Sequence, residues 1–207
     1  MTGKIKLNAT SGGGSVSIQA PSSTGDDRVI TLPTTADGTV LTTTNPKAGN
    51  ILQVVQAVKT DGATVSVTQG SIVDLAGAGV SGLSPQMAVS TVGNKVLIIP
   101  TISLGGNGGP LRITFTVGGS VSTFIGDTAS SRQRVSLEGR SGSSSAMNTL
   151  TGLFLYTPSN TNNTTYGVAV SHGDNATHTL RINDSDSGDH NYSARQASSI
   201  TLMEVAG

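Results

Sequence analysis

Leu111-Arg112-Ile113-Thr114-Phe115-Thr116-Val117 alternates strictly between apolar and polar side chains. Successive side chains of an extended chain point to opposite faces. The stretch therefore puts Leu111, Ile113, Phe115 and Val117 on an inner face, with Arg112, Thr114 and Thr116 outside, and reads as a half-buried strand. Val117-Gly118-Gly119-Ser120-Val121 follows it as a hairpin with a Gly-Gly turn. Working outward, similar runs recur at 51–59, 63–68, 94–103, 121–126, 133–138, 150–156, 165–171, 177–183 and 199–205. Short strands at such regular spacing, separated by turn formers, are the pattern of a β-sandwich or jelly roll. Within 94–103, Val96, Leu97, Ile98 and Ile99 are consecutive, which predicts a strand covered on both faces. The run Ser199-Ile200-Thr201-Leu202-Met203-Glu204-Val205 sets Ile200, Leu202 and Glu204 on one face. An apolar strand there is expected to be paired in a sheet, because left open it would aggregate. Residues 70–93 lack alternation and predict one short strand followed by a loop.

Residues 1–45 are built differently. Lys4-Ile5-Lys6-Leu7, Ser15-Val16-Ser17-Ile18, Arg28-Val29-Ile30-Thr31-Leu32 and Thr39-Val40-Leu41-Thr42 are very short alternating runs between Gly-, Pro- and Asp-rich turns. Each offers about two core residues, too few for an independent sheet. Ile5, Leu7, Val16, Ile18, Ile30 and Leu32 are therefore expected to bury between subunits or against another protein. The alternative is an N-terminal hairpin pair lying on the main domain. Residues 46–50 read as a linker and 51–207 as the second domain.

Composition narrows the function. The chain has 207 residues, no Cys, 12 basic and 12 acidic residues, and 12% charged residues. Ser and Thr make up more than a quarter of it, and Glu occurs only at Glu138 and Glu204. Without Cys there is no disulfide framework, thiolate metal site or cysteine nucleophile. Zero net charge gives no footprint for nucleic acid. No apolar run approaches a membrane span, and the first residues lack the apolar core of a signal peptide.

No catalytic constellation emerges. Two-carboxylate chemistry needs a pair flanking the scissile bond, and neither Glu138 nor Glu204 has a sequence partner. His172 and His178 flank a five-residue loop and face each other across a hairpin in this reading. A metal site needs a third ligand, which would come from a distant Asp or a symmetry copy, so the histidines read as exposed loop-end residues. Asn183-Asp184-Ser185-Asp186-Ser187-Gly188-Asp189 imitates the start of a calcium loop, but Ala194 stands where the closing Glu belongs. Asp184, Asp186 and Asp189 read as an acidic surface turn. Arg132, Arg134 and Arg140 read as solvated strand-face residues. No cofactor is expected, and no residue is assigned a catalytic or metal role.

Met1-Thr2-Gly3-Lys4-Ile5-Lys6-Leu7-Asn8, Ser11-Gly12-Gly13-Gly14-Ser15-Val16-Ser17, Ile30-Thr31-Leu32-Pro33 and Asp37-Gly38-Thr39-Val40-Leu41 resemble the N-terminal module of tail-fibre-like virion proteins of bacteriophages, marine ones especially. Asn94-Lys95-Val96-Leu97, Tyr156-Thr157-Pro158, Thr165-Tyr166 and Ser199–Val205 are similar to a β-sandwich domain of the same proteins. The resemblance implies a homotrimer with a virion-attached N-terminus and a distal domain that contacts the host surface, assembled in the host cytoplasm. Loops 105–109, 140–146, 160–164 and 184–192, with Asn107, Arg140, Asn162 and Tyr192, are then the candidates for contact with a host glycan or protein. Other phage tail proteins would meet residues 1–45. The expectation is a non-enzymatic, all-β short tail fibre or adhesin. The alternatives are a capsid decoration or tail adaptor that never touches the host, and a polysaccharide depolymerase.

Overall fold

The computed structural model of the chain describes residues 4–19, 22, 25, 46–106, 108–143, 146–185, 191 and 193–207. Two compact units, residues 1–40 and 41–207, make up the chain. Every regular element among the described residues is a β-strand, and every pairing between strands is antiparallel. The expected runs at 28–32 and 39–42, with Ile30 and Leu32, lie outside the described residues.

In the first unit β1 (Lys4–Asn8) pairs with β2 (Ser15–Gln19). The hairpin closes through Ala9 N–H to Gly14 O at 2.9 Å. Gly12 and Gly13 have φ of 82° and 68°, which a side chain would strain.

The second unit is a two-layer sandwich. Its larger sheet centres on β7 (Lys95–Gly105). One side of β7 carries β14 (Ser198–Val205) and, end to end with it, β13 (His178–Ile182). The other side carries β10 (Met147–Thr151) and β11 (Phe154–Tyr156). β3 (Ile51–Lys59) extends the sheet beyond β14, and β4 (Ala63–Val67) beyond β13. The smaller sheet runs β5 (Val73–Asp74), β12 (Thr164–His172), β8 (Gly109–Val117), β9 (Leu137–Ser141), with β6 (Gln86–Met87) also on β12.

Alternation places the core between the layers, although Thr114 and Thr116, expected on the outer face of β8, are buried as well. Leu111, Ile113, Phe115 and Val117 of β8 are buried together with Val96, Ile98 and Ile102 of β7 and Ile200 and Leu202 of β14. Phe115 meets Phe154 across the layers at 4.9 Å between ring centroids. Where β13 gives way to β14, Asn183 is fully buried at φ 60°, a left-handed conformation that Asn tolerates. Its N–H donates to Ser103 O at 2.9 Å and its Nδ2 to Lys59 O at 2.8 Å. Its Oδ1 accepts from Ser198 Oγ at 2.5 Å, so backbone and side chain of this one residue together pin four segments.

Several expected elements differ. Gly118 and Gly119 do make the tight turn, with φ of 58° and 81°. The return strand at 121–126 does not form, and Phe124 instead packs on Phe154 at 4.9 Å. The strand expected at 133–138 begins only at Leu137; before it the chain bonds to Gly126, whose N–H donates to Val135 O at 3.3 Å and whose O accepts from Arg134 Nε at 2.7 Å. The strand expected at 150–156 is split. Opposite the gap stands Pro100, which accepts from Gly152 N–H but has no N–H to return. Residues 70–93 hold two two-residue strands, yet send Leu75, Val80, Leu83, Met87 and Val89 into the core. Leu97 and Ile99 are half-buried, since the outer face of the larger sheet carries no second covering layer among the described residues of this unit.

Candidate functional site

Three features of the two units bear on function. The first is the hairpin face. Register sets Ile5 opposite Ile18 and Leu7 opposite Val16, so all four share one face. They are 63%, 56%, 59% and 70% exposed respectively, where a folded chain normally covers such a cluster. The second is the outer face of the larger sheet. Val54, Met203, Leu97 and Leu155 stand in one row across β3, β14, β7 and β11. Ile51 and Val58 on β3 and Leu153 beside β11 are also more than half exposed. β3 pairs on one side only among the described residues and has neither Pro nor a charge before Lys59. Edge strands of monomers are usually guarded by such residues.

The third feature is a polar cleft of about 520 Å³ at the loop end of the sandwich. Arg112 on β8 reaches Glu138 on β9 at 2.6 Å and Gln133 at 3.2 Å. Arg132, Gln69 and Asn175 line the opening, and His172 and Asp174 close it. His172 ends β12 in one sheet and His178 begins β13 in the other. Their rings stack at 3.8 Å between centroids, 26° apart. The expected facing of the two histidines is therefore present, but they are not exposed loop-end residues: His172 is 3% exposed. The strands do not pair as a hairpin; the loop between them carries the chain from one layer to the other, which draws its end into the core. Burial lowers the His172 pKa, an effect only partly countered by the hydrogen bond to Gly108 O. The third neighbour is local, not distant: Asp174 Oδ2 lies 3.4 Å from His178 Nε2.

Both glutamates have close polar partners. Glu138 is ion-paired as above. Glu204 is 1% exposed, and its carboxylate accepts from Asn94 Nδ2 and Ser90 N–H at 2.6 Å each and from Ser90 Oγ and Gln53 Nε2 at 2.7 Å each. Burial pushes its pKa up, but the hydrogen bonds from Asn94, Ser90 and Gln53 outweigh that and hold it below its ordinary value. These partners come from the irregular 70–94 segment and from β3, and no spacing in the sequence announces them.

Of the loop residues singled out for contact, Arg140 is exposed but stands on β9, not in a loop, because its strand continues the pairing with β8 as far as Ser141. Asn162 is exposed in a turn closed by its own N–H to Asn160 Oδ1 at 2.9 Å. Asp184 lies 3.6 Å from Arg195 Nη2. Asn107, Asp186, Asp189 and Tyr192 lie outside the described residues.

No known protein family matches the sequence, and no curated protein does. Among solved structures, one of infectious bursal disease virus, Gx strain, is similar at 12% identity and a TM-score of 0.36, over 94% of this chain and 43% of that one. Another of the same virus, Gt strain, is similar at 11% identity and a TM-score of 0.33, over 93% of this chain and 48% of that one. The chain thus spans less than half of either. At these scores neither likeness bears on function.

Proposed function

We propose that the chain is a non-enzymatic structural component of a phage virion: a short tail fibre or adhesin. Its N-terminal unit attaches to the tail, and its β-sandwich presents loops to the host surface. The observation that carries this reading is the hairpin face of Ile5, Leu7, Val16 and Ile18, more than half exposed at every position. A two-stranded hairpin with such a face is not stable alone in water and needs a partner surface. The N-terminal motifs resemble those of tail-fibre-like proteins, which supports the tail as that surface and a homotrimer as the assembly. The uncovered apolar row on β3, β14, β7 and β11 gives copies of the sandwich a second place to meet. Each glutamate is committed to hydrogen bonds or an ion pair, which favours adhesion over depolymerisation.

The test is a phage carrying Ile5→Ser, Leu7→Ser, Val16→Ser and Ile18→Ser together, beside one carrying Arg140→Ala and Asn162→Ala. The first variant is expected to be lost from purified particles. The second is expected to be incorporated but to adsorb poorly. Incorporation of the first at the normal level would overturn the attachment role. Normal adsorption of the second would favour the decoration or adaptor reading. Shortened chains after incubation with host glycans would overturn the non-enzymatic one.

A further inference from the structure

We propose that His172, Asp174 and His178 form a binding site for a divalent transition-metal ion of the zinc class. Each residue offers a ligand atom within 4.8 Å of the others. His172 Nε2 lies 3.0 Å from Gly108 O. A carbonyl oxygen only accepts, so Nε2 carries the proton and Nδ1 keeps its lone pair. Metal-binding histidines are commonly fixed this way, with the far ring N–H held by a backbone carbonyl. The approach depends on Gly109, where an added Cβ would stand 3.0 Å from His172 Cε1.

His178 supplies the second argument. Its Nε2 is buried and makes no hydrogen bond. A buried polar atom that makes no hydrogen bond calls for an explanation, and an ion held between it and its one close neighbour, Asp174, is one. Asp174 Oδ2 is 3.4 Å away. Two ligands at about 2.0–2.2 Å from a tetrahedral ion stand roughly 3.4 Å apart, so this pair already has the spacing, and the imidazoles, now stacked 26° apart, would turn apart to aim His172 Nδ1 at the same ion. His172 Nδ1 now accepts Asp174 N–H at 3.2 Å, a long bond that the ion would displace. The nearby positive charge of Arg112 is offset by Glu138 at 2.6 Å.

Two imidazoles and one carboxylate suit zinc, cobalt, nickel or copper(II), not calcium or magnesium, which take oxygen ligands. Asp174 is 60% exposed on its side chain, which leaves a fourth position open to water from the cleft. The ion would tie β12 to β13, and with them the two sheets, at the loop end.

The test uses the full chain without a polyhistidine tag, titrated with Zn²⁺ and followed by calorimetry and by the imidazole resonances of its three histidines. One ion per chain is expected, with the signals of His172 and His178 shifting and that of His190 unmoved. His178→Gln and Asp174→Asn should each weaken binding at least tenfold. Asp174 is exposed, so its variant folds even where a histidine variant does not. No shift of His172 and His178 at millimolar Zn²⁺, or binding unchanged in Asp174→Asn, would overturn the site.

Discussion

Replacing Glu204 by Ala should cost the sandwich several kcal/mol. The substitution leaves Ser90 N–H unpaired and takes one bond from each of two amides, Asn94 Nδ2 keeping Ser90 Oγ at 3.2 Å and Gln53 Nε2 keeping Ala88 O at 2.7 Å. A buried donor left unpaired costs about 1–3 kcal/mol. With the two amides, which each keep one bond, at the low end and Ser90 N–H in the middle of that range, the sum is about 4 kcal/mol. For a unit of 167 residues (207 less the first 40), each kcal/mol moves Tm by about 2–4 °C, so the melt should fall by about 8–16 °C. Glu204→Gln keeps the shape but sets an amide NH2 against a neighbouring donor, at about half that cost. The acid limb provides a second readout. The folded-state pKa of Glu204 lies below its ordinary value of 4.5. Its stabilisation is therefore full above pH 4.5 and is lost as pH falls through the folded pKa. The wild type should lose stability over that window, and Glu204→Gln should lack that component. Circular-dichroism melts between pH 3 and 7 measure both. A Glu204→Ala loss below about 1 kcal/mol, or identical acid limbs, would refute the reasoning.

Other substitutions probe other links. Tyr166 and Thr114 bury hydroxyls with no hydrogen-bond partner, and burial, with a smaller contribution from Tyr156, raises the Tyr166 pKa to about 12. Tyr166→Phe and Thr114→Val should thus be neutral or stabilising by up to about 1 kcal/mol in urea titrations. Asn183→Ala removes the bonds to Lys59 O and Ser198 Oγ and leaves Ala at φ 60°, a loss of about 3–4 kcal/mol in the same assay. Gly105→Ala would drive its Cβ into Asp184 O and should destabilise by about 1–3 kcal/mol. The chain has no Cys, so Leu155→Cys carries a single thiol; its maleimide labelling should slow as protein concentration rises, while Thr161→Cys labels at a constant rate.

Much of the sandwich is legible in the sequence because β8 and β14 carry strictly alternating apolar residues that face the core, and period-2 patterning reports that directly, although β12 and most of β8 are buried on both faces. The exposed hairpin is legible for the same reason: Ile5 and Leu7 have nothing in their own run to cover them. What escapes depends on distant residues. The break between β10 and β11 is imposed by Pro100, some fifty positions away in the chain. Residues 70–93 reach the core through single backbone bonds, such as Leu75 N–H to Val168 O at 2.9 Å, and such bonds leave no period. At the cleft, the facing of His172 and His178 follows from their short loop. The approach of Asp174 to His178 and the burial of the His172 ring follow from where that loop crosses between sheets.

The proposed role as a virion component held by its N-terminal unit can be read from a cryo-electron microscopy map of the particles that carry the protein. The account predicts oligomeric β-sandwiches projecting from the tail, with Ile5, Leu7, Val16 and Ile18 buried at the junction. Particles that lack the protein, or carry it with that hairpin face open to solvent, would contradict it.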